Sequence, residues 1–179
     1  AASTLRAALR DQWIRRTMKG IARRDAHKRI DFAYRVADPW HMASAKEQFR
    51  FAATNKIVRE QFGDIDTLLE LGCGEGHQTA HLAQLARHVT GLDISATAIQ
   101  RAQARVPSAV FETGLVTDAR FATRRFDVVV ACEVLYYIKD LAATLARLDA
   151  LATRGWLITY FDGATRVLAD DLARFTATQ

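Results

Sequence analysis

The sequence is poor in cysteine and proline, with two of each in 179 residues. Cys73 and Cys132 are far apart and form no metal-ligand spacing. Both sit in or beside apolar runs, which fits small core or loop residues in a reducing cytoplasm and excludes a disulfide framework. No apolar run approaches the roughly 20 residues of a membrane span. No basic start with a long apolar stretch and small-residue cleavage site marks a secretory leader. A cytoplasmic location is therefore the expectation. Low-complexity tracts and internal repeats are also missing. The chain opens on AAS rather than Met, so the native N-terminus is expected upstream. Its length suits one domain, and its 50% apolar content supplies a sizeable core.

The formal net charge is +5. Arg6, Arg10, Arg15, Arg16, Lys19, Arg23, Arg24, Lys28 and Arg29 crowd the first thirty residues. Such an arm suits phosphates or an anionic membrane, or simply a solvated helix face. No aromatic residues interleave with the charges as on a base-stacking surface, and nucleic acid is not the expected partner.

Leu5, Leu9, Trp13, Ile14, Met18 and Ile21 recur at helical spacing and predict a helix over 3–25, serving as a lid or a packing helix. Asp38-Pro39 makes a turn. Ser44 and Glu47 form a capping box for a helix that runs to about Phe62 and ends near Gly63. Residues 1–63 thus read as a helical cap, and 64–179 as a core. In the core TLLELG, VTGLDIS, AVFETG, FDVVVACEV and GWLITYF are strand-like. HQTAHLAQLAR, SATAIQRAQARV and KDLAATLARLDALA are helical, LVTDARFATRR is less clearly so, and ATRVLADDLARF is a last helix. Alternation of this kind predicts an α/β, Rossmann-like, doubly wound and mostly parallel sheet.

The loop after the first strand, LLELGCGEGHQT (68–79), is where such sheets bind ligands. A P-loop needs Lys and then Ser or Thr after its second glycine. Gly76 is followed by His77 and Gln78, so that reading fails. In G-x-G-x-x-G the third glycine would fall at His77, so the dinucleotide match also breaks, and a dehydrogenase is a distant alternative. Asp93, 21 residues beyond Gly72, ends the second strand, where an acid can accept hydrogen bonds from both hydroxyls of a ribose. Ser95 is free to cap the next helix. His77 and His81 stand one helical turn apart without an evident third ligand, so no metal is expected. Tyr34, Phe49 and Phe51 are expected to pack the N-terminal helices onto the sheet.

E-L-G-C-G-E-G resembles the first motif of class I S-adenosylmethionine-dependent methyltransferases. E-V-L-Y-Y (133–137) and D-P-W (38–40) resemble the nodulation protein S family, which N-methylates the amino sugar of lipo-chitooligosaccharide precursors. The resemblance runs from about residue 37 to 162. It implies S-adenosylmethionine as cofactor, with S-adenosylhomocysteine as product. Glu70 falls at the acid near the amino-acid end, and Gly72, Cys73 and Gly74 at the close backbone. Asp93 falls at the ribose, with Ile94, Leu115 and Val116 beside the adenine. The usual Gly-Asp after the third strand is replaced by Gly114-Leu115, with Asp118 as a possible substitute. Glu133 faces the transferred methyl as base or as cofactor contact. Trp40 and His41 close the site, His41 being a second candidate base, and Tyr136 and Tyr137 line an acceptor pocket.

The implied activity is N- or O-methylation of a small molecule, a saccharide or amino sugar among them. An RNA methyltransferase using the basic arm and a non-catalytic cofactor-binding module are the alternatives. Family members usually add a sixth and a seventh strand, missing here from the pattern, which leaves an edge open to a homodimer.

Overall fold

The computed structural model of the protein describes residues 2–176, with side chains from residue 8 onward; the side chains of Leu5 and Arg6 lie outside the described residues. The strands are β1 (Ile65–Leu71), β2 (Ala86–Asp93), β3 (Val110–Thr113), β4 (Phe126–Cys132) and β5 (Ala152–Thr159). They form one sheet in the order β3-β2-β1-β4-β5, and every pairing is parallel. The helices are α1 (Ala2–Met18), α2 (His27–Ala33), α3 (Ala45–Phe62), α4 (His77–Leu82), α5 (Ala96–Arg105), α6 (Leu141–Leu151) and α7 (Thr165–Thr176). The connection 114–125 holds only a 3₁₀ turn, Ala119–Phe121. No helix among the described residues is long and apolar enough to cross a membrane.

Strand alternation divides the core. Leu69 and Leu71 of β1, with Val129 and Ala131 of β4, face Leu145 and Leu148 of α6 and Leu168 of α7. Their neighbours Leu68, Val128 and Val130 face Val58 of α3 and Leu82 of α4. Both faces are covered, as the near-continuous apolar strands require. The order reverses between β1 and β4, and a crevice opens beyond their C-terminal ends.

The helical cap differs from expectation in its first stretch of chain. α1 ends at Met18, not at residue 25, because Gly20 takes φ 68° and Arg23 and Asp25 also adopt positive φ. The bend is fixed from a distance. Arg23 N donates to Tyr136 O at 2.9 Å, Asp25 N to Tyr137 O at 3.2 Å, and Lys139 N to the Asp25 carboxylate at 2.8 Å. Arg23 also pairs with Asp171 of α7 at 2.5 Å. Ile21, Ile30 and Tyr34 then bury themselves against Ala98 of α5. The segment is a strap over the β4–α6 loop. Ser44 caps α3 as expected, but the box is half made: Glu47 turns to Arg50 at 2.7 Å, while Ser44 N donates to His41 O. α4 stops at Leu82, and Ala86 already belongs to β2. Phe51 is fully buried and Tyr34 nearly so, whereas Phe49 is 77% exposed.

Gly76 performs the close-packing role that the sequence pattern places at His77. It caps α4 at φ 78°, and a Cβ there would lie 3.1 Å from both Cα and Cβ of Ala102 in α5. Gly76→Ala combines a left-handed backbone with a clash against another helix. We expect it to lower the unfolding free energy by about 1–3 kcal/mol, read as a shifted urea midpoint at unchanged m-value.

Candidate functional site

A cavity of about 420 Å³ occupies the crevice at the strand-order reversal. Its floor is the end of β1 and the glycine loop, its sides the ends of β2 and β4, and its roof the cap, through Tyr34, Trp40, Arg50 and Phe51.

The loop is built by three left-handed glycines, all hemmed in, Gly76 by Ala102. A Cβ on Gly72 would sit 2.6 Å from Val134, and one on Gly74 would sit 2.7 Å from the Tyr34 hydroxyl. Gly72 N and Cys73 N both donate to Leu92 O, at 2.7 and 3.1 Å. Gly74 N donates to the Asp93 carboxylate at 2.9 Å, and Ser95 N to its other oxygen at 2.9 Å. Burial pushes the Asp93 carboxyl above its usual range, and the amides of Ser95, Gly74 and Ile94 oppose the shift. Each Asp93 oxygen keeps a lone pair for a further donor. Ser95 caps α5, as its sequence position implies.

Glu70, 2% exposed at the end of β1, accepts a 2.5 Å hydrogen bond from the Thr79 hydroxyl. Burial raises its pKa to about 7, the Thr79 bond and Arg50 work against this, and Asp93 adds to it. Arg50 reaches over from α3, held by Glu47 at 2.7 Å and near Gln78 at 3.4 Å. Glu133 comes directly after β4 with φ 57°, a left-handed backbone unusual for such a residue. Its carboxylate accepts from Phe161 N at 3.1 Å and the Tyr136 hydroxyl at 3.4 Å. Burial raises its pKa, against the pull of Arg50 and the Phe161 amide. Burial likewise keeps the hydroxyls of Tyr34, Tyr136 and Tyr137 protonated. Tyr136 and Tyr137 pack edge to face at 4.5 Å, and Tyr34 meets Trp40 at 4.9 Å.

The cavity collects Glu70, Gly72, Cys73, Gly74, Asp93, Ile94, Leu115, Val116, Glu133, Trp40, Tyr136 and Tyr137. His41 is the exception. Its ring is held by Asp11 at 2.5 Å and Arg10 at 2.6 Å, two residues of α1, and it does not line the cavity. In this arrangement it links the turn of the cap to α1. Asp118 is also outside: it accepts from Leu115 N at 2.9 Å and pairs with Arg120, so the loop carries its own stop and the Leu115 amide is already used. Of the basic arm, Arg10, Arg23 and Arg29 are committed to bonds within the protein.

Sequence reasoning missed Arg50, whose position in a charged amphipathic helix looks like a solvated face. It also missed Glu75, bonded to Arg101 at 2.5 Å and to the Asp38 amide at 2.9 Å, and the partner role of Thr79. Burial would raise the Glu75 pKa, but the contacts with His77, Arg101 and the Asp38 amide prevail and hold it below the usual value. Among the lining residues described, seven carboxylates (Asp25, Asp38, Glu70, Glu75, Asp93, Glu133, Asp140) face one guanidinium, Arg50. Of these carboxylates Glu70, Glu75 and Asp93 are buried, Asp25 and Asp140 are exposed, and Glu75 is already paired with Arg101.

The family model described as Nodulation protein S (NodS) matches residues 22–155. Nodulation protein S of Bradyrhizobium diazoefficiens is 34% identical over 130 residues, 71% of this chain and 62% of that protein. The Sinorhizobium fredii protein of the same name is 38% identical over 109 residues, 59% of this chain and 50% of that one. The chain thus spans between half and about three-fifths of the length of these relatives. The crystal structure of N-methyltransferase NodS from Bradyrhizobium japonicum, in complex with S-adenosyl-L-homocysteine, has the same fold. Its TM-score is 0.72 at 20% identity, over 86% of this chain and 85% of that chain. An amino pentose methyltransferase from Micromonospora echinaspora reaches a TM-score of 0.53 at 22% identity, over 59% of this chain and 46% of its own. With most of its length matched by the family model, the chain belongs to the nodulation protein S family.

Proposed function

We propose that the protein transfers a methyl group from S-adenosylmethionine to an amine of a small saccharide-type acceptor. The observation that carries this reading is the charge pattern of the cavity: buried Glu70 and Asp93 and half-buried Glu133, with Arg50 as the one lining guanidinium among the described residues, beside a backbone loop and an aromatic roof. A dinucleotide brings a pyrophosphate, which this lining would repel. A nucleoside joined to an amino acid brings two cationic centres and one carboxylate, which it would hold.

The residues fit that cofactor. Glu70 stands where it can neutralise an ammonium, and Arg50, opposite it, can take the carboxylate. Asp93 offers its spare lone pairs to ribose hydroxyls. Ile94, Leu115 and Val116 supply apolar surface for the adenine. When bound, the cofactor supplies a methyl group already activated by its sulfonium, so alignment of the acceptor contributes much of the rate. Tyr136, Tyr137 and Trp40 shape the acceptor side. Glu133 is oriented by Phe161 N and Tyr136 and takes the proton that an ammonium acceptor must lose. Its raised pKa, the work of burial, suits that exchange. The acid-rich lining favours an amine over a phosphorylated or carboxylated acceptor.

Calorimetric titration with S-adenosylhomocysteine tests the cofactor. We expect binding, with Asp93→Ala and Arg50→Gln each weakening it about 10–100-fold, the loss of one or two hydrogen bonds to a charged group. Binding of NADH in place of the homocysteine ligand would overturn the reading. For the base, Glu133→Gln should keep S-adenosylhomocysteine affinity and lower turnover of an amino-sugar acceptor by about 10²–10⁴-fold. Equal loss of both would make Glu133 a cofactor contact.

Glu70 also predicts a pH dependence. Its folded pKa, about 7, lies above the unfolded value of 4.5, so the folded state binds more protons between them. Stability is unaffected by this group below that window, falls as pH rises through it, and carries the full penalty above it. Glu70→Gln should remove the fall, raising the urea midpoint relative to wild type at pH 8 but not at pH 4. An equal midpoint difference at both would show that the folded and unfolded pKa values of Glu70 coincide.

A further inference from the structure

In the wall of the cavity, one cluster has a buried polar atom left without a hydrogen-bond partner. His77 opens α4, and its side chain is only 10% exposed. Its Nε2 is buried and makes no hydrogen bond. That nitrogen lies 3.7 Å from an oxygen of Glu75 and 4.0 Å from an oxygen of Asp38, too far for hydrogen bonds to either. The three candidate ligand atoms lie within 4.8 Å of one another. Such an atom is costly to bury and calls for an explanation.

We propose that Asp38, Glu75 and His77 form a divalent-cation site, best matched to Zn²⁺. Ligand distances of about 2.0–2.2 Å in a tetrahedral site place ligand atoms about 3.3–3.6 Å apart. The observed separations from the imidazole therefore need movements of only a few tenths of an ångström. One imidazole nitrogen and two carboxylate oxygens form a borderline set that suits Zn²⁺, with Mn²⁺ second, and a hard oxygen cage for Mg²⁺ is missing. The other demands on the carboxylates leave these atoms usable. Glu75 gives its second oxygen to Arg101 at 2.5 Å, and its first keeps a lone pair beside the Asp38 amide. Asp38 accepts from Met42 N at 2.6 Å and Ala43 N at 3.3 Å, which locks its carboxylate toward His77. With a neutral imidazole and the Arg101 charge counted, the cluster carries −1, so a divalent cation is accommodated.

All three residues line the cavity wall, so the open coordination position faces the ligand space. Asp38 belongs to the turn of the helical cap, while Glu75 and His77 flank the last glycine of the loop. A bound cation would clamp the cap to the glycine loop. This role needs no cofactor, although the cation would offset the charge that Asp38 and Glu75 bring to the lining.

The test uses the whole chain, stripped with chelator, titrated with Zn²⁺ and then Mn²⁺ by calorimetry and followed by thermal unfolding. One equivalent of Zn²⁺ should bind, Mn²⁺ more weakly, and the melting temperature should rise. Cobalt(II) should give the visible absorption of a low-coordinate nitrogen and oxygen site. His77→Gln and Asp38→Asn, the latter keeping the oxygen that caps Met42, should each weaken Zn²⁺ at least tenfold. The other histidines and both cysteines remain in these variants. Undiminished binding in either one, or no binding to the unaltered chain, would overturn the site.

Discussion

The carboxylate of Asp93 is the contact on which the site depends. It ends β2 and holds Gly74 N with one oxygen and Ser95 N with the other. Two segments that must meet at the cavity, the glycine loop and the start of α5, are thereby joined through one buried acid. The Ser95 hydroxyl is then free to cap α5 and to donate to Asp31 of the cap at 2.5 Å. A network that satisfies buried backbone groups in this way fixes its members together, because each unpaired group would cost free energy on its own. The loop is thus held in its left-handed shape before any ligand arrives.

The same economy of partners explains the electrostatics. Carboxylates are brought together by strand ends that all point to one crevice, and desolvation then works against their charge. The protein answers in different ways. Asp93 is served by backbone amides, Glu75 by Arg101, and Glu70 by only a hydroxyl, with Arg50 at a distance. Glu70 is accordingly the least compensated, with a pKa of about 7, and it is the one a cationic ligand would stabilise most.

The sheet and the loop were legible because their signals are local. Apolar runs of strand length, the glycines after Glu70 and the acid at the end of β2 need no knowledge of distant chain. Apart from the Thr79–Glu70 contact, what sequence reasoning missed is long-range. The strap at 19–25 leaves the helical pattern of α1 because residues 136–139 and Asp171 capture it, more than a hundred positions away. His41 sits next to Trp40 in sequence and looks equally placed for the site, yet Asp11 and Arg10 draw it to the other side of the turn. Arg50 is the converse. It reads as a surface charge, but its helix lies over the mouth of β1. In each case the deciding partner is set by tertiary packing, which periodicity does not report.

Glu133 shows how the far side of the sheet enters the chemistry. A residue of this type at φ 57° is strained, at a cost of order 1–3 kcal/mol, and persists only where its surroundings over-determine it. Those surroundings are β5 and the two residues just beyond its end. Glu133 N donates to Thr159 O at 2.9 Å, and Phe161 N donates back to the carboxylate at 3.1 Å. Phe161 also packs edge to face on Tyr136 at 5.2 Å, and Tyr136 reaches the same carboxylate. β5 is an edge of the sheet among the described residues and carries none of the cavity-lining residues. Its place beside β4 is nonetheless what turns the acid into the cavity. Orientation of Glu133 is therefore coupled to the pairing of β4 with β5, while Glu70 and Asp93 stand at the ends of β1 and β2. These two groups of residues rest on different strand pairs of one sheet, joined where β1 pairs with β4.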